Sequence, residues 1–350
     1  MANDNKRLKL GDLALNLGVS TATISLALRD SPLVAEKTRK RVKDYAEEVG
    51  YIYDRSAASL RTSRSNMIGV AVHDIQNPYF AEVFYGLEEA LSEDDKTILI
   101  CNHRDLVDKQ DKFVGTMLQH RVDGLILCPS IGTTAKSLNK VIANGVPMTL
   151  VCREVEGANA PCVRGDDYFG SYSITKHLIE QGHRRIAMLG GRRKSSPGRD
   201  RNRGWRDALI EAGINPADQI DVPELMTQTD GQNAVKDLLA AQNRPTAVMC
   251  FNDLVALGVM SASRRLGIEP GPDLAITGYD DTQGVENRTP ALTTVDNGAF
   301  EIGQVAAQMM LRQLRGEASP SGETHMIQPS LQIRESAPAF GTRLAPLVNI

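Results

Sequence analysis

Apolar residues in the first fifty positions recur at helical spacing, and the recurrence is broken twice. Leu10, Leu13, Ala14 and Leu17 predict one helix, Gly18-Val19 ends it, and Ser20 stands where a second helix needs its cap. On that second helix Ile24, Ala27 and Leu28 form an apolar face, and Thr21, Ala22, Ser25, Leu26 and Arg29 fall together on the opposite one. A third helix is predicted over residues 35–49, with Val42, Tyr45, Ala46 and Val49 as its buried stripe. Lys37, Arg39, Lys40, Arg41 and Lys43 surround that stripe. Three such helices close a minimal core, and a short helix showing small side chains beside basic ones is what a DNA-reading head requires.

Residues 54–65 are polar, Ala/Ser-rich and carry Leu60 as their one large apolar side chain, so they bury too little to hold a helix alone. From Met67 the rhythm changes. Short near-continuous apolar runs at 67–72, 97–101, 124–128 and 146–152 alternate with helical patterns at 80–92, 109–120 and 134–144. The alternation then repeats, with runs at 185–189, 246–251, 274–278 and 292–295 and helical patterns at 170–182, 202–212, 231–241 and 253–266. A helix over 300–315 and a strand over 326–333 end the pattern. Strands apolar on both faces and separated by helices predict parallel sheets covered on both sides, here in two tandem α/β units. Open sheets of this kind bind ligands beyond the carboxyl ends of their strands. Asn77, Tyr79, Phe80, Arg201, Asn252, Asp253 and Asp280 all follow such strands and are read as a ligand shell. Phe80 also reads as core, Arg201 as a surface ion pair and Asp280 as a turn residue.

Composition narrows the class. The chain has 350 residues, 41% of them hydrophobic, enough for two or three packed domains. No segment approaches the roughly 18 uninterrupted apolar residues of a membrane span, and no apolar stretch follows the N-terminus, so a cytoplasmic protein is expected. Residues 1–65 hold 12 Lys and Arg against 8 Asp and Glu, which leaves about −7 on the rest of a chain whose formal charge is −3. A basic head on an acidic body favours a phosphate-binding head. The five cysteines are widely spaced without a Cys-x-x-Cys pair and read as buried thiols, and the six histidines lack metal-ligand spacing, so no metal or cofactor is expected. Phosphate-loop, dinucleotide and nucleophile-elbow motifs are missing too, which argues against an enzyme.

The runs Leu10-Gly-Asp-Leu-Ala, Gly18-Val-Ser-Thr-Ala-Thr-Ile-Ser, Val34-Ala-Glu-Lys-Thr-Arg-Lys-Arg and Gly50-Tyr51 resemble the head of the LacI/GalR family of bacterial transcription repressors. Arg55-Ser-Ala-Ala-Ser-Leu60-Arg61 resembles that family's hinge helix, and the resemblance extends over residues 9–338. It implies an α/β protein with a helix-turn-helix head (1–54), a hinge helix (55–65) and a two-subdomain core like that of periplasmic binding proteins. The N-terminal subdomain would be 66–163 with 296–325, the C-terminal one 164–295 with 326–340, and 341–350 a tail. The DNA surface would then comprise Ser20, Thr21, Ala22, Thr23, Ser25, Leu26, Arg29, Arg55, Ala57, Leu60 and Arg61. The effector site would comprise Asn77, Tyr79, Phe80, Cys152, Arg153, Arg201, Met226, Asn252 and Asp280. Cys152 stands where the family often has Asp, and Met226 where an aromatic is common, so no particular effector carries over. The expected partners are double-stranded operator DNA, a small-molecule effector such as a sugar and a second copy of the chain. A solute-binding protein shares the two-lobed body but lacks a basic head.

Overall fold

The computed structural model describes residues 8–52, 65–317 and 322–341, and its chain divides into two units between Ser65 and Asn66. In the first, α1 (Leu10–Leu17), α2 (Thr21–Ala27) and α3 (Glu36–Glu48) enclose Leu13, Ala14, Ile24, Ala27, Val34, Val42 and Ala46. Gly18 ends α1 at φ +65°, a left-handed conformation that a side chain would strain. Ser20 Oγ accepts from the Thr23 amide at 3.1 Å and starts α2. Lys9 and Ala35 bring no side-chain acceptor to α1 and α3, although the Asp12 carboxylate receives the Lys9 amide at 2.8 Å.

The outward face of α2 is narrower than the helical pattern suggests. Ser25 is only 9% exposed, and Leu26 packs against the head's core. The helix ends at Ala27, so Arg29 lies in the turn behind it, its Nε donating to the Ser25 carbonyl at 3.0 Å. With seven residues lodged against α1 and α3, mainly the first turn, Ser20 to Ala22, is left at the surface. The placement of Ser25 on an exposed face is therefore corrected. Arg55, Ala57, Leu60 and Arg61, read as hinge residues, lie outside the described residues.

In the second unit β1 (Met67–Val72), β2 (Thr97–Asn102), β3 (Gly124–Leu127), β4 (Met148–Val151), β5 (Cys162–Gly165) and β11 (Thr324–Ile327) make a parallel sheet in the order β11-β5-β4-β3-β1-β2. One face packs on α4 (Pro78–Ser92) and α11 (Ala299–Leu314), the other on α5 (Val107–Gln119) and α6 (Ala135–Ala143). A second parallel sheet comprises β6 (Ile186–Leu189), β7 (Asp221–Val222), β8 (Ala247–Cys250) and β9 (Ala275–Thr277), in the order β7-β6-β8-β9. Its covers are α7 (Asp167–Glu180) with α8 (Ser196–Glu211), and α9 (Gln228–Ala240) with α10 (Asp253–Arg265). β10 (Thr294–Asp296) and β12 (Ser330–Gln332) pair antiparallel.

The chain passes between the lobes after β5, after β10 and after β11. The apolar run 326–333 is thus two strands: β11 belongs to the first sheet and β12 pairs β10, with Gln328-Pro329 between them. Proline cannot donate to a ladder, so the run breaks there. Helix α8 starts six residues before the sequence pattern suggests, because Ser195 Oγ caps it through the Gly198 amide at 3.2 Å and Pro197 suits its first turn.

Candidate ligand-binding site

Beyond the carboxyl ends of both sheets the lobes border a cavity of about 50 Å³, and all nine side chains expected in the effector site line it. Asn77 caps α4, its Oδ1 accepting from the Tyr79 amide at 3.1 Å, which sets Tyr79 and Phe80 on the first turn against the cavity. Asn252 caps α10 through the Val255 amide at 2.9 Å, and its Nδ2 donates to the Met226 carbonyl at 3.1 Å, fixing the neighbouring wall. Arg201 projects from the second turn of α8, inside the helix and not in a loop after β6. Cys152 and Asp280 have left-handed φ of +61° and +110°. Such conformations in non-glycine residues cost on the order of 1–3 kcal/mol each and aim side chains where regular backbone would not.

Arg201 is the electrostatic centre. Its Nε donates to Asp167 Oδ1 at 2.8 Å and its Nη1 to the Phe251 carbonyl at 2.5 Å, and Asp280 Oδ1 is 3.5 Å away. The guanidinium carbon lies 3.5 Å from the Tyr279 ring centroid and 4.5 Å from that of Phe251. Burial works against its charge, but the facing acidic groups, Asp167 foremost, outweigh burial and keep its pKa raised. Burial raises Asp167 above the usual carboxylate range despite Arg201. Burial dominates again at Asp280, which is pushed up to about 8 although Arg201 and the nearby Asn77 side chain favour its ionised form.

Polar links join the two lobes. Asp105 takes both guanidinium nitrogens of Arg153, at 2.5 and 3.2 Å, and also Arg192 of the other lobe at 2.7 Å. The arginines hold its carboxyl down at about 2 against burial. Arg164 on β5 meets Asp200 on α8 at 2.5 Å, and Arg199 meets Glu154 at 3.0 Å. Asp253, read as part of the ligand shell, turns away from the cavity: it accepts from Thr282 N at 2.7 Å and Thr294 Oγ1 at 2.6 Å. It is a structural tie within the C-terminal lobe.

His73, Asp167, Ser195, Pro197, Phe251 and Asn297 also line the cavity and were not anticipated. Phe251 directly precedes Asn252, and Ser195-Ser-Pro is a helix start, so those carried a signal. His73 follows the run 67–72 and Asn297 the run 292–295, so both carried the strand-end signal and were passed over, whereas Asp167 precedes the helical pattern at 170–182 and carried none.

A head built on a helix-turn-helix and a two-lobed α/β body around a polar cavity together define a DNA-reading protein with a small-molecule site. The signature of the lacI family of bacterial regulatory proteins matches residues 9–54, and that of the periplasmic binding protein-like domain matches residues 175–337. The chain is 31% identical over 327 residues to the transcriptional repressor PurR of Erwinia tasmaniensis, covering 93% of this chain and 95% of that one. It is 29% identical to the transcriptional regulator DegA of Bacillus subtilis, covering 95% and 98% of the two chains. Among solved structures, the Lac repressor dimer bound to operator and the anti-inducer ONPF superposes with a TM-score of 0.84 at 27% identity, over 95% of this chain and all of that one. A LacI-family regulator from Enterococcus faecium with bound ribose gives 0.72 at 27% identity, over 78% of this chain and 99% of that one. This chain belongs to the LacI family of DNA-binding transcriptional repressors, and its relatives are regulators, not enzymes.

Proposed function

We propose that the protein represses a carbohydrate-related operon, binding a pseudo-palindromic operator as a homodimer and responding to an uncharged polyhydroxylated ligand, a sugar or sugar derivative, in the interlobe cavity. The charge balance of that cavity carries the reading. Arg201 is matched by Asp167 and Arg153 by Asp105, while Asp280 stays neutral near pH 7. No buried cation lining the cavity is left over for a phosphate or carboxylate. A neutral carboxyl and a guanidinium edge bond hydroxyls in both directions, and the Phe80 and Phe251 faces suit C–H surfaces. The ribose-bound relative supports the ligand class, and the operator-bound Lac repressor dimer supports the assembly.

A ligand held by Tyr79 and Phe80 of one lobe and Arg201 and Asp280 of the other favours one lobe orientation by its difference in affinity, typically about 1–3 kcal/mol. Residues 55–65 are the element to be biased, a segment whose sequence folds only with a partner. Leu60 would wedge the central base step from the minor groove, and the exposed first turn of α2 would read base edges.

A thermal-unfolding screen against uncharged sugars, sugar acids, sugar phosphates and purines tests the ligand class. An uncharged sugar at a hundred times its Kd stabilises by about 2.7 kcal/mol. If only phosphorylated or carboxylated compounds shift the transition, the proposed ligand class is wrong.

A further inference from the structure

Cys128, which follows β3, and Cys152, which follows β4 and lines the cavity, are neighbours in one buried core cluster. β3 and β4 pair with Leu127 opposite Leu150, so the two cysteines are one residue out of register. A lateral spacing of about 4.8 Å and a rise of about 3.3 Å put their Cα atoms about 5.8 Å apart, inside the roughly 4.4–6.8 Å that a disulfide spans. Strand alternation would send Cys152 to the face opposite Val151. Its left-handed φ of +61° turns it back, and Val151, Cys152 and Cys128 share one core cluster.

The surroundings differ from those of the other thiols. His73 Nδ1 is 3.5 Å from the Cys128 sulfur, and the Tyr79 hydroxyl donates to the Cys152 sulfur at 3.6 Å. Burial would raise the Cys128 thiol, but the neighbouring Cys152, His73 and Arg153 outweigh it and leave it lowered. The neighbouring Cys128 and burial raise Cys152. Cys250 is fully buried with its thiol pushed up, and Cys162 likewise. Cys152, by contrast, lines the cavity.

We propose that Cys128 and Cys152 form an oxidisable dithiol whose substrate is a hydroperoxide small enough to enter the ligand cavity. The Cys128 thiol releases its proton to water and takes up that of Cys152, and the Cys152 thiolate attacks the peroxide O–O bond. A sulfenic acid forms on Cys152 and the departing alkoxide or hydroxide takes a proton from water. The Cys128 thiol loses its proton, attacks the Cys152 sulfur, and the S–S bond forms as hydroxide leaves and is protonated. Two thiols and one hydroperoxide give one disulfide, one alcohol and one water, or two waters from hydrogen peroxide. The bond draws the Cys152 sulfur toward Cys128 and strips the Tyr79 hydroxyl of its acceptor, altering the cavity wall. An effect on ligand binding rests on the function proposed above; the disulfide itself does not.

The full-length reduced protein is treated with hydrogen peroxide, blocked with N-ethylmaleimide and digested with trypsin without reductant. Cleavage places Cys128 in peptide 122–136, Cys152 in 141–153 and Cys162 in 154–164. The expected product is 122–136 joined to 141–153, reversed by dithiothreitol, forming on the order of tenfold faster than the Cys250 thiol is lost. Cys128→Ser and Cys152→Ser each abolish it. A cross-link from 141–153 to 154–164, or oxidation of Cys101 with no joined 122–136 and 141–153, overturns the proposal. Because the wild-type cross-link is the primary readout and needs no ligand, it stands apart from the folding of the variants and from the reading of the cavity.

Discussion

Asp280→Asn separates a neutral Asp280 from an ionised one while preserving shape at a backbone position, φ +110°, where asparagine is among the better-tolerated residues. In the folded protein burial holds this carboxyl up at about 8, against a usual value of 3.8. Between those values the unfolded chain has lost the proton that the folded chain keeps. The unfolded state therefore binds fewer protons, and stability from this group falls as pH rises, by about 1.4 kcal/mol per pH unit. From pH 5 to pH 7 the wild type loses about 2.7 kcal/mol on this account, and the variant has no group there to lose it. For domains of this size that is a gap in Tm widening by about 5–10 °C across the interval. Thermal unfolding of both proteins at half-unit steps of pH measures it, with Asp280→Asn the more stable at pH 7. Parallel profiles, or a variant that is less stable at pH 7, would mean that Asp280 is ionised and paired with Arg201, and the argument for an uncharged ligand would fall with it.

Arg201→Ala should cost about 3–5 kcal/mol in denaturant unfolding, because it leaves the fully buried Asp167 carboxylate without its cation; a loss under about 1 kcal/mol would show the pair to be idle. Ser20→Ala removes the cap of α2, worth about 1 kcal/mol, and hydrogen exchange at the Thr23 amide should quicken about fivefold in the full-length protein. Leu26→Arg should shift operator selection toward G·C at one half-site position, since leucine can touch a thymine methyl whereas arginine bonds guanine. Unchanged selection would keep Leu26, half in the core already, out of the interface.

Much of this architecture was legible in the chain. Strands buried on both faces read as near-continuous apolar runs, which is why β1, β3, β4 and β8 stood out. β5 did not, because Arg164 interrupts its run; the charge is tolerated there because Asp200 from another lobe meets it, with Asp167 and Glu154 near by. Asn77, Tyr79, Phe80, Asn252 and Asp280 were legible because they follow strands or begin helices, where parallel sheets place ligands, whereas Cys152, Arg153 and Met226 came from the family resemblance alone. Asp105 and Arg192 were invisible, since the pairing of two lobes leaves no period in a sequence. Ser25 was misplaced because a helical wheel assumes one buried face, whereas α2 is wedged between α1 and α3.

The central claim is that occupancy of the cavity sets affinity for DNA. Fluorescence anisotropy of an operator selected from random duplexes, titrated with full-length protein with and without the sugar identified by thermal unfolding, tests it directly. Saturating sugar should change the operator Kd by about 5- to 150-fold, while Asp280→Ala should bind operator within a few fold of wild type and show no change on adding sugar. Superimposable wild-type isotherms, with the sugar demonstrably bound, would contradict the account.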